Sequence, residues 1–110
     1  MTHEGRIALN LNGPGDQTIW PAEASARVGL VMLIGDVSID CHLTFKAGSR
    51  LLSGPITMLA AGSINLDFIE TLIGELPAAS CWFIAEVGEA LILNIDNGAN
   101  FAGFAQVTLL

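Results

Sequence analysis

The chain has 110 residues, and its 4 Lys and Arg residues stand against 11 Asp and Glu residues, giving a formal net charge of −7. Nucleic-acid binding depends on clustered basic side chains that displace counterions from phosphates, so this charge balance argues against a nucleic-acid partner. Hydrophobic residues make up 52% of the chain, but its longest apolar run, residues 28–34, is far shorter than the ~20 residues of a membrane-spanning helix. We therefore expect no membrane partner.

The N-terminal residues 1–5 have neither the basic region nor the apolar region of a secretory signal, so we expect synthesis in the cytoplasm. Clusters of Gly, Pro, Asn, Asp and Ser then interrupt the chain at short intervals and leave runs of strand length between them. This spacing is typical of an all-β protein, and a chain of this length fits one β-rich domain over residues 1–110. The predicted strands are 6–12, 27–34, 36–46, 50–52, 56–60, 63–67, 79–87, 90–96 and 101–110.

The clearest strand signal is the alternation between residues 36 and 46. Its odd-numbered positions are apolar, among them Cys41 and Phe45, and its even-numbered positions are polar, among them Asp40 and His42. A period of two indicates a strand with one buried and one solvated face. Cys41 and Cys81 both lie among apolar residues, so the sequence favours two buried thiols over a disulfide.

Two stretches could depart from strand structure. Apolar residues recur at helical spacing over 68–76, Asp67 and Glu70 resemble a capping box, and Pro77 would end the segment, so we expect a short helix there. Residues 21–26 could form a second helical turn that begins with proline. The sequence thus predicts an all-β fold, an antiparallel β-sandwich or jelly roll with at most one or two short helices.

The best hairpin signal is the turn sequence Asp96-Asn97-Gly98. Asn-Gly tolerates the two positive φ angles of a type I′ turn, and the runs on either side have strand length. We therefore expect strands 90–96 and 101–110 to pair with each other.

Asp40 and His42 are the candidate polar site, because they lie two residues apart on the polar face of one predicted strand. A carboxylate and an imidazole at this spacing could chelate a metal or act in acid–base catalysis. Two ligands do not complete a metal site, and no nucleophile motif accompanies the pair, so a solvated polar face is the favoured interpretation. We expect no cofactor, no metal and no catalytic residue. The alternative is a small-molecule-binding β-barrel or cupin-like domain, possibly an enzyme, with both side chains in its cavity.

Large apolar residues near the middle and the end of the chain are the candidate interface anchors, because aromatic side chains are enriched at such contacts. The C-terminal strand has almost no charge to keep it in water, so its apolar residues should be buried in the chain or against a neighbouring subunit. The candidates are Trp20, Trp82, Phe101, Phe104, Val107 and Leu109.

The last eleven residues, from Asn100 to Leu110, contain the run Phe-Ala-Gly-Phe-Ala followed by an apolar end. This ending resembles the terminal strand of the head-decoration, or cement, proteins of tailed phages, which are compact β-rich chains. The resemblance implies a homo-oligomer, with a trimer as the expected form, that binds a larger assembly such as a capsid and resides on the virion surface. The predicted function is therefore structural and not enzymatic.

Overall fold

A computed structural model of the chain describes residues 2–67 and 81–110. Within these two ranges the regular structure consists of ten β-strands and contains no helix. The strands are β1 (Thr2–Asn12), β2 (Gly15–Trp20), β3 (Val28–Val37), β4 (Cys41–Ala47), β5 (Arg50–Leu51), β6 (Ile56–Met58), β7 (Ser63–Asp67), β8 (Phe83–Ala85), β9 (Leu91–Ile95) and β10 (Asn100–Leu109).

The strands form two antiparallel sheets that pack against each other. Sheet A has the order β1-β10-β3-β7, with β8 also paired to β3, and sheet B has the order β2-β9-β4-β5, with β6 also paired to β4. Successive strands change sheet at β1–β2, β2–β3, β3–β4, β6–β7, β8–β9 and β9–β10, so the chain passes repeatedly between the two layers of the sandwich. The predicted all-β sandwich is confirmed.

The core lies between the sheets and follows from the period of two. In β4 every second residue is buried, from Cys41 to Ala47, and β9 buries Leu91, Leu93 and Ile95 in the same way. The rings of Phe45 from sheet B and Phe83 from sheet A stack with their centroids 4.6 Å apart. Aromatic pairs of this kind add packing energy to the area they bury, so this contact helps to join the two sheets.

The predicted strand 36–46 is wrong as a single element. β3 ends at Val37 in sheet A and β4 begins at Cys41 in sheet B, so the chain changes sheets across residues 38–40. Ser38 stabilises this crossing, because its backbone N–H donates to the Asn100 carbonyl at 3.0 Å and its Oγ accepts from the Asn100 N–H at 2.9 Å. The alternation misleads because Val37 and Cys41 face the same core from opposite sheets.

The predicted pairing of strands 90–96 and 101–110 is also wrong. β9 lies in sheet B and β10 in sheet A, where β10 pairs with β1 and β3. The Asn97 side chain holds the connection open: its Oδ1 accepts from the Ala99 N–H at 2.9 Å, and its Nδ2 donates to the Asp40 carbonyl at 2.7 Å. The Asn-Gly pair therefore marks a crossing between the sheets, and Ala99 enters the core.

Further segments differ from the sequence-based prediction or lie outside the described residues. Strand β2 was not predicted, because it begins inside a Gly-Pro-Gly turn signal and only its last two residues, Ile19 and Trp20, are large and apolar. Residues 21–26 form a bend and not a helical turn. The predicted helix over 68–76 and the first two residues of the predicted strand 79–87 lie outside the described residues. Cys41 and Cys81 are free thiols.

Candidate functional site

A cleft of about 270 Å³, lined by both polar and apolar side chains, opens at one end of sheet B. The start of β4, the end of β6 and the turns that follow β6 and β9 form its walls. Its lining residues are Asp40, Cys41, His42, Thr57, Met58, Leu59, Asp96 and Asn97.

His42 and Asp96 form a hydrogen-bonded pair in the cleft. Leu43 lies opposite Ile95 where β4 pairs with β9, so the next position along places His42 beside Asp96. The Asp96 carboxylate accepts from the His42 backbone N–H through Oδ1 at 2.7 Å, and its Oδ2 lies 2.7 Å from Nδ1 of the imidazole. The Asp96 N–H donates to the His42 carbonyl at 3.2 Å. Asp96 therefore fixes both the backbone and the ring of His42.

These contacts also set the charge state of Asp96. The hydrogen bond from the His42 backbone N–H, followed by the bond from its side chain, lowers the pKa of the Asp96 carboxyl below its ordinary value. Donors that favour the ionised form have this effect on any carboxylate. The Asp96 carboxylate stays ionised, and the imidazole keeps Nε2 as its second hydrogen-bonding atom.

Asp40 lies in the same cleft as His42, and its carboxylate binds the turn that follows β6. Its Oδ1 accepts from the Ala60 N–H at 2.7 Å, and its carbonyl accepts from Asn97. Asp40 precedes β4 and lies in the crossing between the sheets, so the predicted shared strand face does not describe it. The structure nevertheless brings Asp40 and His42 to one cleft, and it adds Asp96, which the sequence did not single out.

The chemistry open to the cleft is hydrogen bonding. Across residues 2–67 and 81–110, no three His, Cys, Asp or Glu side chains are grouped so that they could hold a metal ion. Burial raises the pKa of the Cys41 thiol above its ordinary value, and a protonated thiol is a poor nucleophile. An aspartate-held imidazole can still act as a base toward a bound molecule.

The candidate interface residues fall into two groups. Phe101 and Val107 are fully buried between the sheets, and Leu109 and Trp20 pack against that core from its margin. The Trp20 indole Nε1 also donates to Glu23 at 2.8 Å. Phe104 and Trp82 are exposed, with 51% and 38% of their surface accessible. Only these last two present large areas to a partner.

Phe104 belongs to an apolar row on the outer face of sheet A. Ala8 of β1 lies opposite Phe104 on one side, and Ile34 of β3 lies opposite it on the other. Arg6 and Asp36, both exposed, lie next to this row in opposite corners. We call these five residues the Phe104 face.

The outer face of sheet B carries a bonded polar network instead. Lys46 Nζ lies 3.1 and 2.9 Å from the two carboxylate oxygens of Asp16, and Asn94 Nδ2 donates to Asp16 at 2.8 Å. The bond from Asn94, followed by that from Lys46, lowers the pKa of Asp16. No local pattern in the sequence marks this network, because only the register of β2, β9 and β4 brings the three residues together.

Comparisons with known protein families, curated proteins and solved structures find no match to this chain. Within the described ranges, no helix is long and apolar enough to cross a membrane.

Proposed function

We propose that this chain is a homo-oligomeric structural protein, a capsid decoration component that binds copies of itself on the surface of a virion. The Phe104 face carries the proposal, because an apolar row on a sheet face gains free energy when a partner removes it from water. The virion assignment rests on the resemblance of the C-terminal strand to phage cement proteins. Double-sheet β folds occur in capsid proteins and also in cupins, so the fold agrees with this proposal and with the second candidate below.

Light scattering coupled to size exclusion tests self-assembly. We expect a discrete oligomer when the purified chain is measured at tens of micromolar, because the apolar row of the Phe104 face can be buried only by contact with another copy. A monomer at that concentration would contradict the proposal. The virion assignment has its own test: the chain should be found by mass spectrometry in purified particles of the phage that encodes it, and its absence from them would refute that assignment.

A second candidate function is small-molecule binding in the cleft that contains His42 and Asp96. The observation that favours it is the imidazole of His42, held at 2.7 Å by Asp96 in a cleft that also contains Asp40. A ligand screen by thermal shift on the wild type and on His42→Ala tests it. Thr44→Ala is the control, because Thr44 lies on the same strand and outside the cleft. A ligand that stabilises the wild type and Thr44→Ala but not His42→Ala would favour this second function.

A further inference from the structure

We propose that the Phe104 face binds the same face of a second copy around a twofold axis, with Arg6 of each copy paired to Asp36 of the other. This inference rests on the proposed self-assembly and adds to it the surface, the symmetry and the charged pairs. It predicts an even number of subunits, and so departs from the trimer that the family resemblance implies.

The apolar part of the contact is centred on Phe104. Its ring is half exposed, whereas its cross-strand neighbours are the small side chain of Ala8 and the partly buried Ile34. Phe104 is therefore the large apolar side chain of this row that is most exposed to a partner. When two such faces meet at Phe104, each ring can cover the other and the apolar row beneath it, as anchor residues do at the centre of an interface.

The charged part is symmetric about Phe104. Arg6 lies opposite Gln106, two residues beyond Phe104 along β10, and Asp36 lies opposite Ala102, two residues before it. The two charges are therefore equally far from Phe104 and in opposite directions. A twofold axis that passes through Phe104 at right angles to the line from Arg6 to Asp36 places each charge over its opposite in the second copy. The two contact sheets then cross at a steep angle, near the orthogonal class of sheet packing.

The same charges cannot pair within one chain. With strands about 4.8 Å apart and a rise of about 3.4 Å per residue, Arg6 and Asp36 are about 17 Å apart on the sheet. In the described part of the chain, the ion pairs are His42–Asp96, Lys46–Asp16 and Arg50–Glu89, and neither Arg6 nor Asp36 takes part in one. This face thus presents one positive and one negative charge to a partner. A second copy supplies the complement of both, which is the condition for a self-complementary interface.

The first experiment removes the anchor. Phe104→Asp should raise the dissociation constant of the oligomer about 30-fold or more, as loss of a central aromatic anchor does, when measured by sedimentation velocity over a dilution series. Leu51→Asp is the matched control, since it replaces an apolar side chain that is 67% exposed at the edge of sheet B. The control should keep the dissociation constant of the wild type. Equal weakening by both variants would overturn the assignment of the face.

The second experiment exchanges the charges. Arg6→Asp and Asp36→Arg should each weaken the oligomer, because each places like charges opposite one another, and the double variant Arg6→Asp/Asp36→Arg should restore its affinity. The double variant keeps the net charge of the wild type, and the distance within one chain excludes an intrachain rescue. A double variant no tighter than the weaker single variant would overturn the charged pairing.

The outcomes separate the two proposals. A trimer that Phe104→Asp leaves unchanged would overturn this interface and leave the structural function standing. A wild-type chain that stays monomeric would overturn both.

Discussion

The outer faces of the two sheets differ in how their charges are used. On sheet B, Asp16 of β2 and Lys46 of β4 lie on either side of β9 and bind each other at 2.9 Å. On sheet A, Arg6 and Asp36 lie on opposite sides of an apolar row and have no ion-pair partner in the described residues. A charge pair bonded within the chain has little left to offer a partner, whereas an unpaired one can contribute to recognition. The assembly that we propose therefore depends on the outer face of sheet A.

Deleting residues 107–110 should lower the stability of the fold more than any of the substitutions below. It shortens β10, an interior strand of sheet A, and leaves every strand of sheet B intact. The deletion removes the buried Val107 and the two backbone hydrogen bonds between Leu110 and Arg27. Each large apolar side chain lost costs about 1.5–3 kcal/mol. We expect a melting temperature lower by about 15 °C or more, measured by circular dichroism. A truncated chain with the wild-type melting temperature would show that sheet A does not need the end of β10.

The two sides of β10 can be compared through its two phenylalanines. Phe101 is fully buried and Phe104 is half exposed. Phe101→Ala should lower the free energy of unfolding by about 3–5 kcal/mol because it leaves a cavity between the sheets. Phe104→Ala should change it by less than about 0.5 kcal/mol in urea unfolding of dilute, monomeric protein. Similar losses for the two variants would mean that Phe104 supports the fold and that the Phe104 face is not a free surface.

The sequence predicted the fold class and part of the set of inward-facing residues, because both depend on local alternation, but Ile39 of the predicted strand 36–46 is 47% exposed. The predicted strand 63–67 coincides with β7, and the alternation of residues 41–47 correctly placed Cys41 and Phe45 in the core. Local patterns failed where the chain changes sheets. An Asn-Gly turn has the same local signature in a hairpin as in a crossing, and here Asn97 binds Asp40, a residue distant in sequence.

The candidate site was predictable only in part, for the same reason. His42 and Asp40 were visible as a polar pair, but the partner that holds His42 is Asp96, 54 residues away. Only the register of β4 on β9 joins them. The Phe104 face likewise depends on the order β1-β10-β3, since Ala8 and Ile34 are remote from Phe104 in the sequence. Side chains brought together by strand order carry no signal in a single sequence.

Double-mutant cycles measure the interaction energy between the two charged residues on each face. Asp16→Ala and Lys46→Ala should show a coupling energy of about 0.5 kcal/mol in the free energy of unfolding, as partly exposed ion pairs do. High salt should reduce this coupling by screening. The matched cycle, Arg6→Ala with Asp36→Ala, should show no coupling in the monomer because the two residues are about 17 Å apart. Equal coupling in the two cycles would show that the charges on the two faces interact equally within the chain, and would contradict the comparison.

Acid titration should produce the smallest effect, and it reports on the sheet B side of the molecule. Hydrogen bonds from His42 lower the pKa of Asp96 below its ordinary value of 3.8, and Asn94 and Lys46 lower that of Asp16. The folded chain therefore holds these protons less tightly than the unfolded chain, so the stabilisation that the two carboxylates contribute is present above the unfolded pKa and is lost as the pH falls through the folded pKa values.

Asp96→Asn isolates one of these groups, because it keeps an oxygen that can accept from the His42 N–H and removes the charge. We expect the variant to be less stable than the wild type at pH 7, and the difference to shrink as the pH falls from 4 to 2. The effect is small because the pair is exposed and solvent screens it. Urea unfolding at a series of pH values measures it. A constant difference between the two proteins across that range would mean that the ionised Asp96 carboxylate does not stabilise the fold.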